Sequence, residues 1–202
     1  MEHLEDFRDD ELSVTISDLL VATADSSDPL LDDTVSELLN TMRTRMEMDV
    51  VFVSEFVDGQ RMFRYVDSAP GAPQLAAGTG NPAEESVCQR VVEGRVPELV
   101  RDLAKVPPEN LPELPFRIGA HLSTPILLKD NRVYGTLCCF SLAPREDLVQ
   151  AHLDKLKLCA TLVARKIDLS HALGLKEPPP DWQLQPKDDY VSPVWQQAPR
   201  RR

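Results

Sequence analysis

Residues 119–141, GAHLSTPILLKDNRVYGTLCCFS, constrain the fold more than any other part of the chain. Two runs of strand-forming residues flank the turn sequence Lys129-Asp130-Asn131, and both faces of each run are apolar or small. A strand with one wet face alternates apolar and polar side chains. A hairpin that is apolar on both faces therefore belongs in the middle of a sheet covered on both sides.

The segments around it predict the rest of that sheet and its cover. Asp28-Pro29 reads as a helix N-cap followed by proline at the first helical position, and Leu31, Val35, Leu38, Leu39, Met42 and Met46 continue one apolar stripe at helical spacing. Residues 49–57, DVVFVSEFV, run into Asp58-Gly59, a two-residue hairpin turn, before a second strand over 61–67. The Gly-, Pro- and Ala-rich stretch 68–82 predicts a loop whose small residues can lie over a pocket. A short helix is expected over 84–93, with Val87, Cys88, Val91 and Val92 on one side and Gly94 as its stop, followed by a strand-like 97–101.

Four prolines between 103 and 117 predict a turn-rich connection with at most one short helix. The longest helix is expected from about 146 to 172. Val149, His152, Leu153, Leu156, Cys159, Ala160, Val163 and Ile167 form its core-facing stripe, and Leu158, Leu162 and Leu169 form a second stripe suited to another helix or subunit. The fold class is α+β, a central antiparallel sheet with helices packed on it.

Charge narrows the function classes. The chain of 202 residues has a net charge of −11. Residues 1–33 hold eleven acids against Arg8 alone, so that segment carries −10, and the remainder, with 22 acids and 21 bases, is close to neutral. No basic stripe is present to attract nucleic acid. No apolar run approaches the roughly 18–20 residues of a membrane span, and the acidic start is unlike a secretory signal, so a cytoplasmic location with no membrane contact is expected. The expected organisation is an acidic arm over 1–28 with a short amphipathic helix, a folded domain over 29–174, and a proline-rich tail over 175–202. The tail is read as disordered or as docked through Trp182, Tyr190 and Trp195.

Three segments occur in a telling order: Val50-Val51-Phe52-Val53-Ser54-Glu55-Phe56, then 88–94 through Val100-Arg101-Asp102, then Tyr134-Gly135-Thr136-Leu137-Cys138-Cys139-Phe140-Ser141. They resemble the first strand, the middle helix with its following strand, and the closing hairpin of the GAF-domain family, over about residues 29–172. The resemblance implies a PAS-related sheet and a non-catalytic sensory or regulatory role for a free-standing bacterial protein. It implies binding of an unidentified small molecule or a protein partner. It also implies a homodimer through the helices at 29–47 and 146–173. No output module follows in the sequence, so a separate output protein is the expected partner.

The same resemblance removes several ligands. Bilin-binding relatives use a cysteine in the connection before the closing hairpin, and none lies between Asp102 and Gly119. Haem-binding relatives use a histidine there, whereas His121 already lies inside the strand. The Asn-Lys…Phe…Asp-Glu pattern of cyclic-nucleotide binders is absent. No cofactor is assigned. A pocket between the sheet and the connections 68–82 and 103–118 would take its polar rim from Arg117, His121, Ser123 and Thr124, and strand alternation forbids all four from facing inward.

Cysteines leave an alternative. Cys88, Cys138, Cys139 and Cys159 sit in apolar patterned segments without metal-like spacing, so they are read as buried thiols in a reducing compartment and no metal ligand is assigned. Free methionine sulfoxide reductases are the enzymatic relatives, and a thiol enzyme or redox switch would draw on Cys88, Cys138 and Cys139. Cys138 and Cys139, adjacent on a strand, point to opposite faces and make an awkward disulfide. No catalytic residue is assigned.

Overall fold

The computed structural model describes residues 31–173. The arm helix, the Asp28-Pro29 cap, Gly174 and the aromatic tail lie outside the described residues. Helix α1 (Leu31–Arg45) leads into strands β1 (Val50–Val57) and β2 (Gln60–Ser68). Asp58 and Gly59 both take positive φ, 50° and 74°, the conformation that a two-residue turn between right-twisted strands requires. After the loop come the short strand β3 (Gly80–Pro82), helix α2 (Val87–Val92), strand β4 (Leu99–Val100), the hairpin β5 (Ala120–Leu127) and β6 (Val133–Ser141), and the long helix α3 (Gln150–Ala172).

The six strands form one antiparallel sheet in the order β3-β2-β1-β6-β5-β4. The β5–β6 hairpin is internal, as its pattern predicts: β6 is buried from Tyr134 to Ser141, and β5 is buried along most of its length. One face, carrying Val51, Val53, Leu122, Leu137 and Cys139, packs against Leu38, Leu39 and Met42 of α1 and Leu153, Leu156 and Val163 of α3. The opposite face carries Val50, Phe52, Phe63, Cys138 and Phe140, with Cys88 of α2 against them. A third cluster, Val87, Val91, Val96, Val100 and Leu103, anchors α2 to β4 and the connection after it.

Some expectations change. Strand β3 forms where the composition predicts loop, because three residues pairing to β2 through Gln60, Arg61 and Met62 carry no side-chain pattern of their own. The proline-rich connection holds two single 3₁₀ turns, Leu103–Lys105 and Pro108–Asn110, where at most one short helix was expected. Helix α3 starts at Gln150, so Val149 occupies the cap position, 46% exposed, while its N–H donates to Nδ1 of His152 at 3.1 Å. Leu162 joins the core, which reduces the second stripe of α3 to Leu158 and Leu169, 40% and 37% exposed.

Candidate functional site

On the sheet face away from α1 and α3 lies a cavity of about 880 Å³. Its floor is the sheet, with Phe52, Phe63 and Phe140, and its walls are residues 71–76 and 114–118, the two connections expected to cover a pocket. Rings at 5.1 Å (Phe52 and Phe63) and 5.6 Å (Phe116 and Phe140) make the apolar lining continuous.

Arg61 projects from β2 into this lining. Its guanidinium stacks 4.7 Å from the Phe63 ring and 5.7 Å from the Phe52 ring, and it donates through Nε and Nη2 to Oδ1 of Asn81 at 3.1 and 2.7 Å. Asn81 comes from β3, opposite Arg61 in the register. The small strand missing from the sequence reading thus orients a cation at the cavity. Arg61 itself was missed, although Arg61 and Phe63 stand two residues apart and share a strand face.

Below the cavity the structure gathers buried polar groups. Ser86 caps α2 by accepting from the Gln89 N–H at 3.1 Å, and the helix turns Cys88 toward the sheet. There the Sγ atoms of Cys88 and Cys138 lie 3.0 Å apart. Cys138 lies opposite Ser123 of β5 and Phe52 of β1. Its sulfur is 2.9 Å from Ser123 Oγ and 3.2 Å from Thr136 Oγ1, and Thr136 Oγ1 is 2.9 Å from Ser54 Oγ. His121 is 2% exposed and its Nδ1 has no hydrogen-bond partner. One donor atom from each of Cys88, His121 and Cys138 falls within 4.8 Å of the others.

Burial by itself would raise both thiols, and for Cys138 it does, aided by the negative charge that Cys88 develops. Cys88 goes the other way: the hydrogen bond from Cys138, the Arg61 charge beside it and the His121 ring outweigh burial and hold its thiol well below the ordinary range. Arg61 Nη1 donates to this sulfur at 3.5 Å. On the opposite sheet face, burial pushes Cys139 and Cys159 up to about 12.

The four rim candidates therefore separate. His121 lines the cavity and Arg117 stands at its exposed mouth. Ser123 faces the same side but lies beneath the lining, spent on Cys138. Thr124 points the other way, as alternation requires, and donates to Oε1 of Glu98 at 2.8 Å, a carboxylate that also pairs with Lys157 of α3 at 2.6 Å. Of the thiols, Cys88 and Cys138 meet, whereas Cys139 is in the helix-side core with Cys159. Two sulfurs and an imidazole thus converge, although Cys88 and Cys138, 50 positions apart, share no spacing signal in the sequence.

The family model described as GAF domain matches residues 29–168, well over half of the chain. The chain belongs to the GAF-domain family. Solved structures agree on the fold. The GAF domain of an Acinetobacter phosphoenolpyruvate-protein phosphotransferase is 17% identical with a TM-score of 0.63, covering 82% of this chain and 95% of that one. The phycocyanobilin-bound GAF domain of a cyanobacterial phytochrome is 15% identical with a TM-score of 0.62, covering 80% and 96%. A free methionine-R-sulfoxide reductase from Neisseria meningitidis, solved with its substrate, is 15% identical with a TM-score of 0.60, covering 78% and 89%. No curated protein matches the sequence. Two of these structures hold different molecules, a bilin in one and a reductase substrate in the other, and identities this low carry over the scaffold alone. Among the described residues of this GAF domain no helix is long and apolar enough to cross a membrane.

Proposed function

We propose that this GAF domain is a non-catalytic sensory or regulatory module whose cavity binds a small molecule with a flat apolar body and an anionic group. The observation that carries this reading is the cavity itself, of ligand size, with aromatic walls and two arginines, Arg61 and Arg117, against the single acid Glu85. Arg61 is held by Asn81 and two rings, so little side-chain freedom is lost when an anion meets it. Native mass spectrometry of protein purified from its own host tests this. A retained small molecule whose occupancy drops in Arg61→Ala is expected. An empty wild-type protein that also shows no thermal shift with aromatic carboxylates would overturn it.

Output is read as a contact with a separate protein in the cytoplasm, made by a homodimer that joins through α1 and α3. Leu158 and Leu169 on the exposed side of α3 support that pairing. A monomeric mass at micromolar concentration in sedimentation would count against it.

The 3.0 Å approach of Cys88 and Cys138 favours a second reading, a thiol reductase or redox switch. With a sulfoxide as oxidant, two thiols close to a disulfide as the sulfoxide oxygen leaves as water and the sulfur compound departs as thioether. Turnover of free methionine sulfoxide that is abolished by Cys88→Ser or Cys138→Ser would establish this reading and sink the non-catalytic one.

A further inference from the structure

Three elements meet beneath the cavity, and each brings a soft or borderline donor, with Arg61 Nη1 also reaching the Cys88 sulfur at 3.5 Å. Cys88 comes from α2, Cys138 from β6 and His121 from β5, each at most 2% exposed. Their donor atoms lie within 4.8 Å of one another, and among the described residues no carboxylate joins them. A tetrahedral Zn²⁺ with bonds of about 2.0–2.3 Å keeps its ligands roughly 3.3–3.8 Å apart. The cluster already has that scale. The sulfurs at 3.0 Å need to part by under about 1 Å.

The surroundings also suit an ion. A buried imidazole nitrogen without a partner is rare in folded proteins, and His121 Nδ1 is one. Around Cys138, Ser123 and the Ser54–Thr136 pair are hydroxyls whose protons can rotate. Both Ser123 and Thr136 can then donate to a Cys138 thiolate, the outer-shell support that metal thiolates usually have. Cys88 and His121 both border the cavity, so the fourth direction opens into it.

We propose that Cys88, Cys138 and His121 form a mononuclear site for a thiophilic divalent cation of the Zn²⁺ type, with its fourth position open to the cavity. Two thiolates and a neutral imidazole balance the dication. Three protein ligands with one open place form a centre that exchanges its last ligand, so an anionic or sulfur donor in the cavity would bind through the metal. This site does not depend on the identity of the cavity ligand. It competes with the disulfide reading for the same two sulfurs, since a metal-bound thiolate pair is not free to oxidise.

The test uses the full chain, reduced with a phosphine and stripped with EDTA, then titrated with Co²⁺ and afterwards Zn²⁺. Thiolate-to-cobalt charge-transfer absorption saturating at a single equivalent, and displaced by Zn²⁺, is expected. Cys88→Ser and Cys138→Ser should lose that absorption. His121→Ala should weaken Zn²⁺ binding by more than the ~10-fold that follows from losing even an outer-shell partner. Cys139→Ser and Cys159→Ser, on the other sheet face, should bind as the parent does. Azide should shift the ligand-field bands of the Co²⁺ form. If a cysteine variant fails to fold, X-ray absorption of the Zn²⁺-loaded parent decides, with two sulfurs and a nitrogen expected in the first shell. Absence of charge transfer at stoichiometric Co²⁺, a first shell without sulfur, or unchanged binding in folded Cys88, Cys138 or His121 variants overturns the site. Bands indifferent to azide overturn its open position.

Discussion

Replacing Gly135 with alanine should damage this protein far more than one added methyl group suggests. Gly135 opposes Glu55 where β6 meets β1, and a Cβ built there falls 1.9 Å from the Ser54 carbonyl oxygen and 2.8 Å from the Glu55 Cα. Real Cβ contacts essentially never fall below 3.0 Å, so the two strands must part locally by about 1.1 Å. Neither obstacle is a side chain that can swing aside. The neighbouring register pair is Ser54 and Thr136, whose hydroxyls sit 2.9 Å apart at 0% exposure. A displacement of that size breaks this bond and strains the adjacent ladder bonds. Ser54 is then left without a partner and Thr136 with only the Cys138 sulfur at 3.2 Å, a cost of about 1–3 kcal/mol apiece, so a total loss of roughly 2–6 kcal/mol is expected.

Gly94 provides the internal control. Its φ is +72° and nothing lies within 4 Å of a Cβ there, so alanine brings only left-handed backbone strain, about 1–2 kcal/mol. Urea unfolding followed by far-UV circular dichroism, which reads the helices and strands directly, compares the two. If Gly135→Ala loses no more stability than Gly94→Ala, the steric argument is wrong and the β1–β6 contact is looser than the register implies.

Other perturbations probe the core and the two thiol environments. Leu156→Ala removes a 0% exposed side chain between α3 and the sheet and should cost about 2–5 kcal/mol in the same urea assay. Thr136→Val should cost about 1–3 kcal/mol by stranding Ser54, and adding Ser54→Ala should recover part of that loss, read as coupling in a double-mutant cycle. Cys159 is held protonated by burial, with its pKa raised from 9.0 to about 12. Below pH 9 both folded and unfolded thiols keep the proton, whereas above it the unfolded chain ionises first, so this residue lowers stability as pH rises. Cys159→Ala should therefore flatten the decline between pH 9 and 12 by about 1.4 kcal/mol per pH unit, measured by urea unfolding under reductant.

Particular residues show what a sequence can reveal here. The β5–β6 hairpin was legible because burial on both faces leaves a double-sided apolar pattern, and α1 because Val35, Leu38, Leu39 and Met42 hold one stripe. The site was less legible. Alternation separates His121 and Ser123 from Thr124, but parity cannot say which side of the sheet holds the cavity until α1 and α3 occupy the other. Arg61 gave no signal as a cavity residue because its orienting partner, Asn81, sits on a strand defined only by backbone pairing. Cys88 and Cys138 meet only through the docking of α2, which rests on Val87 and Val91 packing against Val96, Val100 and Leu103.

The pattern that reveals the hairpin also leaves its register underdetermined. When both faces are apolar, a slip of one residue exchanges Leu137 for Cys138 and Cys139 for Phe140 with little change in hydrophobic burial. The polar and small residues remove that freedom. A slipped β6 would turn Thr136 into the helix-side core, away from Ser54, and would separate Cys138 from Ser123 while taking Gly135 away from the one place where the Ser54 backbone leaves no room for a Cβ. Each misplaced hydroxyl would be buried without a partner, at about 1–3 kcal/mol. The residues that fix the register are thus those that surround Cys138, so a correctly formed sheet necessarily sets that sulfur beside Ser123 and Thr136.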